Sequence, residues 1–439
     1  MAHTQKLSLL DAILININVM FGTGVLINTV NLAIIAGFLG FASYLLVALL
    51  MLPLIFSIAA TLQRHPSGGF YTYAATDIHP SVGFLSAWSY FIGKLSSAAL
   101  LIHIFTTTIK VIIPALDPIP SLAIDGALLV LFTWLNRYNL KTSTRITYGF
   151  IFCKFTPIVF AILSCCAFFT DWHIPAGSLL LTGIPSTIPL VLYAFVGFEV
   201  ACSISNSIED AQRNAPKAIL YSFGIVVFIT TLYQFLMFTT FGEELTQLPN
   251  FLGIFQVLLQ RIMPDPGLFK AIMLKLFYIA GASSALGGSY GILFSNSWNL
   301  YTLAQHKHLP FSRLFTAFNK YQVPFACVLA EAVICSGYLL MTSGHQVTLQ
   351  QMSVFGCTIA YLCSVIGLIV AHRDAQTSTR LVAWAALGSC ALLLFSCIAN
   401  FVSSGIIYLG FFLALIALGM ILYLVTSITN SHLTNLKRH

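Results

Sequence analysis

Long apolar runs separated by short polar loops dominate the chain. A helix needs roughly 20 consecutive apolar residues to cross a bilayer, and we count about 12 such segments. The runs are continuous, whereas a membrane β-barrel needs alternating strands of about 10 residues. The pattern therefore predicts an all-α integral membrane protein with about 12 transmembrane helices, and it leaves no room for a separate soluble domain.

Two of the predicted helices are interrupted near mid-membrane. The first contains Gly22, Thr23 and Gly24, and the sixth contains Gly197 and Glu199. Glycine tolerates unwound backbone, but small residues also permit close helix packing, so both explanations stay open for the first interruption. A carboxylate inside a span costs about 2.5 kcal/mol or more, which marks a candidate functional site. Four asparagines add polarity to the first helix: Asn16, Asn18, Asn28 and Asn31.

The spacing of the two interruptions predicts an internal repeat. They lie five spans apart, and because five is odd the second half crosses the membrane in the opposite direction. Inverted repeats with broken helices at matching positions indicate a binding site near the bilayer midplane. We therefore predict one transmembrane domain over residues 1–439. Its parts are a first repeat at 7–170, a second at 184–371, and two further helices, 11 and 12, at 381–428.

Several ionisable residues lie inside predicted spans. Lys94 follows Tyr90 in WSYFIGK, and Lys154 lies in FCKFTP. A lysine in a span can reach the interface with its long side chain, which is the simpler explanation for both. Alternatively, Lys94 lies near a substrate path and the Lys154 ammonium replaces a bound cation. Lys275 and Glu331 also lie in spans, and the sequence assigns them no role.

Composition and charge support this picture. Charged residues make up 8% of the chain, against about 25% in soluble proteins. The net charge of +7 is explained by where the basic residues fall relative to the membrane. Of the 20 Lys and Arg residues, fourteen lie on the same side as the termini, three on the other side and three within spans. Cytoplasmic loops carry the positive excess, so both termini are predicted to be cytoplasmic. This distribution explains the basic charge without a nucleic-acid partner.

Signatures of other classes of protein are missing from the sequence. The ten cysteines show no CxxC spacing, so we expect neither a metal site nor a cofactor. There is no HExxH motif, no nucleophile elbow and no acidic pair in a span, so we expect no enzyme. A nutrient sensor on a transporter fold is the alternative from another class, although such sensors typically add a soluble extension.

Several motifs together resemble the amino acid–polyamine–organocation superfamily of transporters over essentially the whole chain. They are GTGV from Gly22, GGFYTY, WSYFIG and AFVGFE from Ala194 to Glu199. The resemblance implies a LeuT-like bundle of five-plus-five inverted repeats with broken helices 1 and 6, and a substrate with α-amino and α-carboxyl groups. The Asp210-Ala211 pair departs from the Asn-Pro that usually follows helix 6 in the family.

The resemblance also implies roles for individual residues. Backbone amides of the GTG segment take the carboxylate, carbonyls near residues 194–197 take the amino group, and Tyr193 is at a gating position. Lys154 matches the helix 5 lysine of sodium-independent members, where the ammonium replaces a sodium ion. The implied substrate-binding residues are Gly22, Thr23, Gly24, Tyr90, Tyr193, Ala194, Phe195 and Gly197. The coupling or gating candidates are Lys154, Glu199 and Lys94.

The sequence thus predicts a secondary active transporter of amino acids in the cytoplasmic membrane, as in the inner membrane of a bacterium. We expect sodium-independent alternating access, by proton symport or by substrate exchange. A polyamine or amine–amino acid antiporter is the alternative. Helices 11 and 12 carry no internal charge, so they serve as scaffold or as the contact surface of a homodimer.

Overall fold

Helices form the regular structure of the protein. The computed structural model describes residues 6–65, 69–138, 144–168, 179–205, 208–371 and 377–436, and within these ranges it contains no β-strand. The first nine helices are α1 (Leu9–Met20), α2 (Thr23–Ala36), α3 (Gly40–Arg64), α4 (Phe70–Asp77), α5 (Pro80–Ile112), α6 (Ser121–Leu135), α7 (Thr144–Phe168), α8 (Ile184–Phe195) and α9 (Val200–Ile204). The others are α10 (Ala211–Phe241), α11 (Gly253–Ile262), α12 (Leu268–Gln305), α13 (Ser312–Phe315), α14 (Phe325–Thr342), α15 (Gln346–Ala371), α16 (Thr377–Ser404) and α17 (Ile406–Leu436).

Many of these helices are membrane spans by length and hydropathy. Among the described residues there are 9 such spans, or 10 when the bent pair of α1 and α2 is taken as one. Two further apolar helices, α6 and the 152–167 part of α7, are shorter than a full span. The prediction of an all-α integral membrane protein is confirmed, while the number of 12 spans and the inverted repeat remain predictions.

The chain forms two compact units. The first consists of Met1–Ile55, Leu101–Ser121 and Thr142–Gly288. Within it α1 packs against α10 and α9, α2 packs against α8, and α7 packs against α10 and α11. A capping box at Ser8 and Asp11 starts α1. The Ser8 hydroxyl accepts a hydrogen bond of 3.2 Å from the Asp11 N–H, and the Asp11 carboxylate accepts one from the Ser8 N–H.

The second unit consists of Phe56–Leu100, Leu122–Lys141 and Ser289–His439. Here α15 is the central element and packs against α4, α16 and α17. Glycines let α5 and α15 approach closely, because a Cβ on Gly356 would lie 2.5 Å from the Ser89 carbonyl oxygen. Close approach through small residues is typical of helices in membranes.

Candidate functional site

The first helix is broken where the sequence predicts an interruption. α1 ends at Met20 and α2 begins at Thr23, with Phe21 and Gly22 in extended conformation between them. The two helices meet at an angle of 48°. The first N–H groups of a helix have no acceptor inside it, and they carry the positive end of the helix dipole. The start of α2 is therefore suited to bind an anionic group such as a carboxylate.

A second break separates α8 from α9. It covers residues 196–199, again where the sequence predicts it. Gly197 has φ +125°, a conformation that L side chains rarely adopt, so the break depends on glycine at this position. The carbonyl groups at the end of α8, near Ala194 and Phe195, form the negative end of a helix dipole. They are suited to accept hydrogen bonds from an amino group.

Glu199 ties the second break together. Its side chain is completely buried, and Oε2 accepts a hydrogen bond of 2.8 Å from the Gly197 N–H. This bond satisfies a backbone donor that the unwound segment removes from the helical pattern. The carboxylate thus supports the irregular backbone from within the same broken helix.

The two breaks lie against each other inside the first unit. The Gly197 Cα faces the end of α1, because a Cβ there would lie 3.1 Å from the Met20 backbone nitrogen. The Asn16 amide donates to the Phe198 carbonyl at 2.9 Å, and the Asn28 amide donates to the Leu190 carbonyl at 2.7 Å. One asparagine on each side of the first break is therefore bonded to the second broken helix.

Tyr193 lies directly over the first break. A Cβ added to Gly24 would be 3.0 Å from Cε1 of the Tyr193 ring, so the ring contacts the start of α2. The structure therefore brings together the predicted residues Gly22, Gly24, Tyr193 and Gly197. The Thr23 side chain lies outside the described part of the structure, and its predicted role remains a prediction.

Lys154 belongs to the same site. Its side chain is 7% exposed, and Nζ donates a hydrogen bond of 2.8 Å to the Asn18 carbonyl oxygen near the end of α1. The neighbouring Phe155 ring stacks on Phe21 at 4.4 Å between centroids, which fixes α7 against the break. The ammonium of Lys154 therefore lies at the negative end of α1, where a positive charge is favourable.

A cavity of about 260 Å³, which includes space open to solvent, adjoins this lysine. It is lined by Phe21, Gly22, Leu26, Lys154, Pro157, Ile158, Ala280, Gly281 and Ser284. A Cβ on Gly281 would meet no atom within 4 Å, so this part of α12 faces open space instead of a tightly packed helix.

Lys94 and Tyr90 lie in the second unit. The Lys94 side chain is 6% exposed, and its Nζ is 5.3 Å from the centroid of the Tyr90 ring. A cation at this distance is attracted to the face of the ring. The Tyr90 ring also contacts Phe70 of α4 at 4.7 Å between centroids. Their predicted roles toward a substrate remain predictions.

A comparison with protein families assigns the chain to a family. The family described as amino acid permease matches residues 7–430, which is nearly the whole chain. The chain belongs to the amino acid permease family. As a member of this family it is an integral membrane transporter and not an enzyme, in agreement with the resemblance to the amino acid–polyamine–organocation superfamily.

Individual relatives of this permease are also transporters. An uncharacterized transporter of Mycobacterium tuberculosis is 24% identical over 92% of this chain and 89% of its own length. The putrescine transporter PotE of Escherichia coli is 22% identical over 85% and 86%. The human Asc-type amino acid transporter 1 is 25% identical over 69% of this chain and 58% of its own length. All three relatives are described as transporters.

Proposed function

We propose that this permease moves amino acids across the cytoplasmic membrane by alternating access without sodium, coupled to protons or to exchange of a second substrate. The observation that carries the proposal is the hydrogen bond from the Lys154 Nζ to the Asn18 carbonyl oxygen at the first break. A fixed ammonium supplies the positive charge that a bound sodium ion would otherwise bring to these carbonyl groups.

The two breaks provide complementary ends for a zwitterion. The start of α2, at Gly22 and Gly24, offers the carboxylate N–H donors that have no acceptor within the helix itself. The end of α8 offers carbonyl acceptors near Ala194 and Phe195 for the amino group. The Tyr193 ring, in contact with the start of α2, closes over the bound molecule from the side of α8.

Amine transport is the second candidate. It is supported by the similarity to a relative named as a putrescine transporter. A diamine lacks the carboxylate that the start of α2 is suited to bind. Both of its amino groups would therefore have to bind carbonyl groups such as those at the end of α8. An amine–amino acid antiporter carries both classes, and direct exchange measurements separate it from an amino acid symporter.

The termini are proposed to lie in the cytoplasm, because the positive residues are concentrated on their side of the membrane. The last two helices, α16 and α17, are proposed as the contact surface of a homodimer. Large apolar side chains such as Phe395 and Ile406 are exposed there. Labelling of single cysteines with a membrane-impermeant reagent tests the orientation, and native mass spectrometry tests the dimer.

Transport in proteoliposomes tests the proposed function. Purified protein is reconstituted and offered a panel of radiolabelled amino acids and amines, in sodium or choline buffer, with and without a proton gradient or internal substrate. We expect uptake of at least one amino acid that is equal in both buffers. Uptake that requires sodium refutes the role of Lys154, and no transport of any compound refutes the proposal.

Two lysine variants provide the matched comparison. Lys154→Gln keeps a hydrogen-bond donor but removes the charge, and we expect it to lose most uptake. Lys275→Gln removes a lysine from another span, where the side chain is exposed, and we expect it to keep uptake. Equal activity of both variants would contradict the proposed use of the Lys154 charge.

A further inference from the structure

A second ionisable group lies inside a span of the other unit. Glu331 is in the first half of α14, between Phe325 and Thr342, and its exposed fraction is 0%. Neither carboxylate oxygen has a hydrogen-bond partner among the described residues. Within the same residues, no Lys, Arg or His nitrogen lies within 4.0 Å of these oxygens. Within the described part of the chain, no cation or hydrogen-bond donor therefore compensates a negative charge on this carboxyl group.

The groups around Glu331 cannot supply that compensation. Cys327 and Cys335 lie four residues to either side, on the same helix face, and both thiols donate to other carbonyl groups. The Tyr338 hydroxyl on this face is completely buried and has no hydrogen-bond partner. Asp125 of α6, also fully buried, is a second acid within electrostatic range of Cys335. These neighbouring thiol, hydroxyl and carboxyl groups bring no positive charge to Glu331.

Helices that contact α14 carry few basic groups. Cys335 bonds to Leu95 of α5, Cys327 bonds to the carbonyl that ends α13, and Tyr338 contacts Phe411 of α17. The titratable side chains of these contacting elements and of α15 are Tyr90, Lys94, His103, Lys110, Arg313, Cys357, Tyr361, Cys363, Tyr408, Tyr423 and His432. Arg313 is exposed, and Lys94 interacts with the ring of Tyr90. None forms an ion pair with Glu331 within the described ranges.

We propose that Glu331 is a proton-binding site, with the proton as its ligand, separate from Lys154 and from the two breaks. An ionised carboxylate in an apolar interior without a cation or a donor is so unfavourable that the group takes a proton instead. In this conformation Glu331 therefore holds a proton from the aqueous phase as a neutral carboxylic acid. In the transport cycle, release of this proton couples substrate movement to the proton gradient, a step that rests on the proposed function.

Infrared spectroscopy tests the protonation directly and does not depend on transport. At pH 7.5 exposed carboxyl groups are ionised, so a carboxylic acid C=O band belongs to buried protonated groups. We expect such a band in the wild-type protein, a weaker band in Glu331→Gln, and an unchanged band in the control Glu244→Gln, which removes an exposed carboxylate. Spectra of wild type and Glu331→Gln that are identical in this region would overturn the proposal.

Stability as a function of pH provides a second readout. The unfolded chain releases the Glu331 proton above about pH 4.3, whereas the folded protein keeps it. Folding of the wild type therefore weakens as pH rises from 5 to 8, by up to about tenfold in the unfolding equilibrium constant per pH unit. Glu331→Gln lacks this contribution, so its melting temperature relative to wild type should increase with pH. A difference that stays constant over this range would contradict a bound proton.

Transport separates the coupling role from a purely structural proton. In proteoliposomes Glu331→Gln should still exchange internal for external substrate, because Gln imitates the neutral acid. An inward proton gradient should no longer raise its accumulation above the level without a gradient. Accumulation driven by protons at the wild-type level would overturn the coupling role. If the wild type transports nothing, the proposed function fails while the infrared band still decides whether Glu331 binds a proton.

Discussion

Replacing Gly197 with alanine is the most direct test of the site geometry. The residue has φ +125°, and an added Cβ would lie 3.0 Å from a side-chain carbon of Val19 and 3.1 Å from the Met20 backbone nitrogen. Holding alanine in such a conformation costs about 1–3 kcal/mol. The crowding against the α1 backbone adds to this cost, because a backbone atom cannot move aside as a flexible side chain does.

The strain of alanine at position 197 destabilises the arrangement in which the two breaks lie against each other. A destabilisation of about 1–3 kcal/mol lowers the population of that arrangement by about 5- to 150-fold relative to conformations that relieve the strain. We therefore expect Gly197→Ala to lose initial uptake rate in proteoliposomes, by up to about 150-fold, and to melt at a lower temperature in detergent.

Gly224→Ala is the matched control. Gly224 lies inside α10, and a Cβ there would meet no atom within 4 Å. Alanine in a helix interior is more stable than glycine by roughly 0.5–1 kcal/mol, so this variant should transport normally and melt no lower than the wild type. If Gly197→Ala behaves like Gly224→Ala in both assays, the positive φ and the close approach at the break are not required, and our reasoning about the site is wrong.

Three further predictions concern the remaining interactions. Asn16→Leu leaves the Phe198 carbonyl buried without its donor, so we expect a loss of about 1–3 kcal/mol, measured by denaturant unfolding. Burial lowers the pKa of His308 to about 4, with a smaller contribution from the neighbouring imidazole of His306. Its contribution to stability is complete above about pH 6.5 and lost as pH falls toward 4, and His308→Gln should flatten this part of the melting profile. Glu244→Gln removes the exposed ion pair with Arg261, and a change in melting that exceeds the equivalent of about 1 kcal/mol would contradict a purely superficial role.

The positions of both breaks could be predicted from sequence because the signal is local. Gly22 and Gly24 interrupt one apolar run, and Gly197 with Glu199 interrupt another. Each interruption conflicts with a regular helix in lipid, whatever the rest of the fold looks like. The structure confirms both breaks, and it adds the positive φ that makes glycine necessary at the second.

The contacts between the breaks could not be predicted in the same way. The Asn16 amide reaches a carbonyl group 182 residues away, and it also lies 3.2 Å from the Ser222 hydroxyl. Such pairing depends on how helices pack, and no periodicity in a single sequence encodes it. The only available signal was the polarity of asparagine in an apolar span. Similarly, Lys154 could be identified as unusual, but its acceptor, the Asn18 carbonyl, is a backbone atom that the sequence does not mark.

The side-chain hydrogen bonds of Asn16 and Asn28 group the broken helices into two hydrogen-bonded pairs. Asn16 joins α1 to the segment that leads into α9, and Asn28 joins α2 to α8. The points without regular helix, at Gly22 and Gly197, separate one pair from the other. Bending at these two glycines therefore leaves both interhelical bonds intact. In the proposed alternating access, a rotation about these two glycines would therefore move each helix together with its hydrogen-bonded partner.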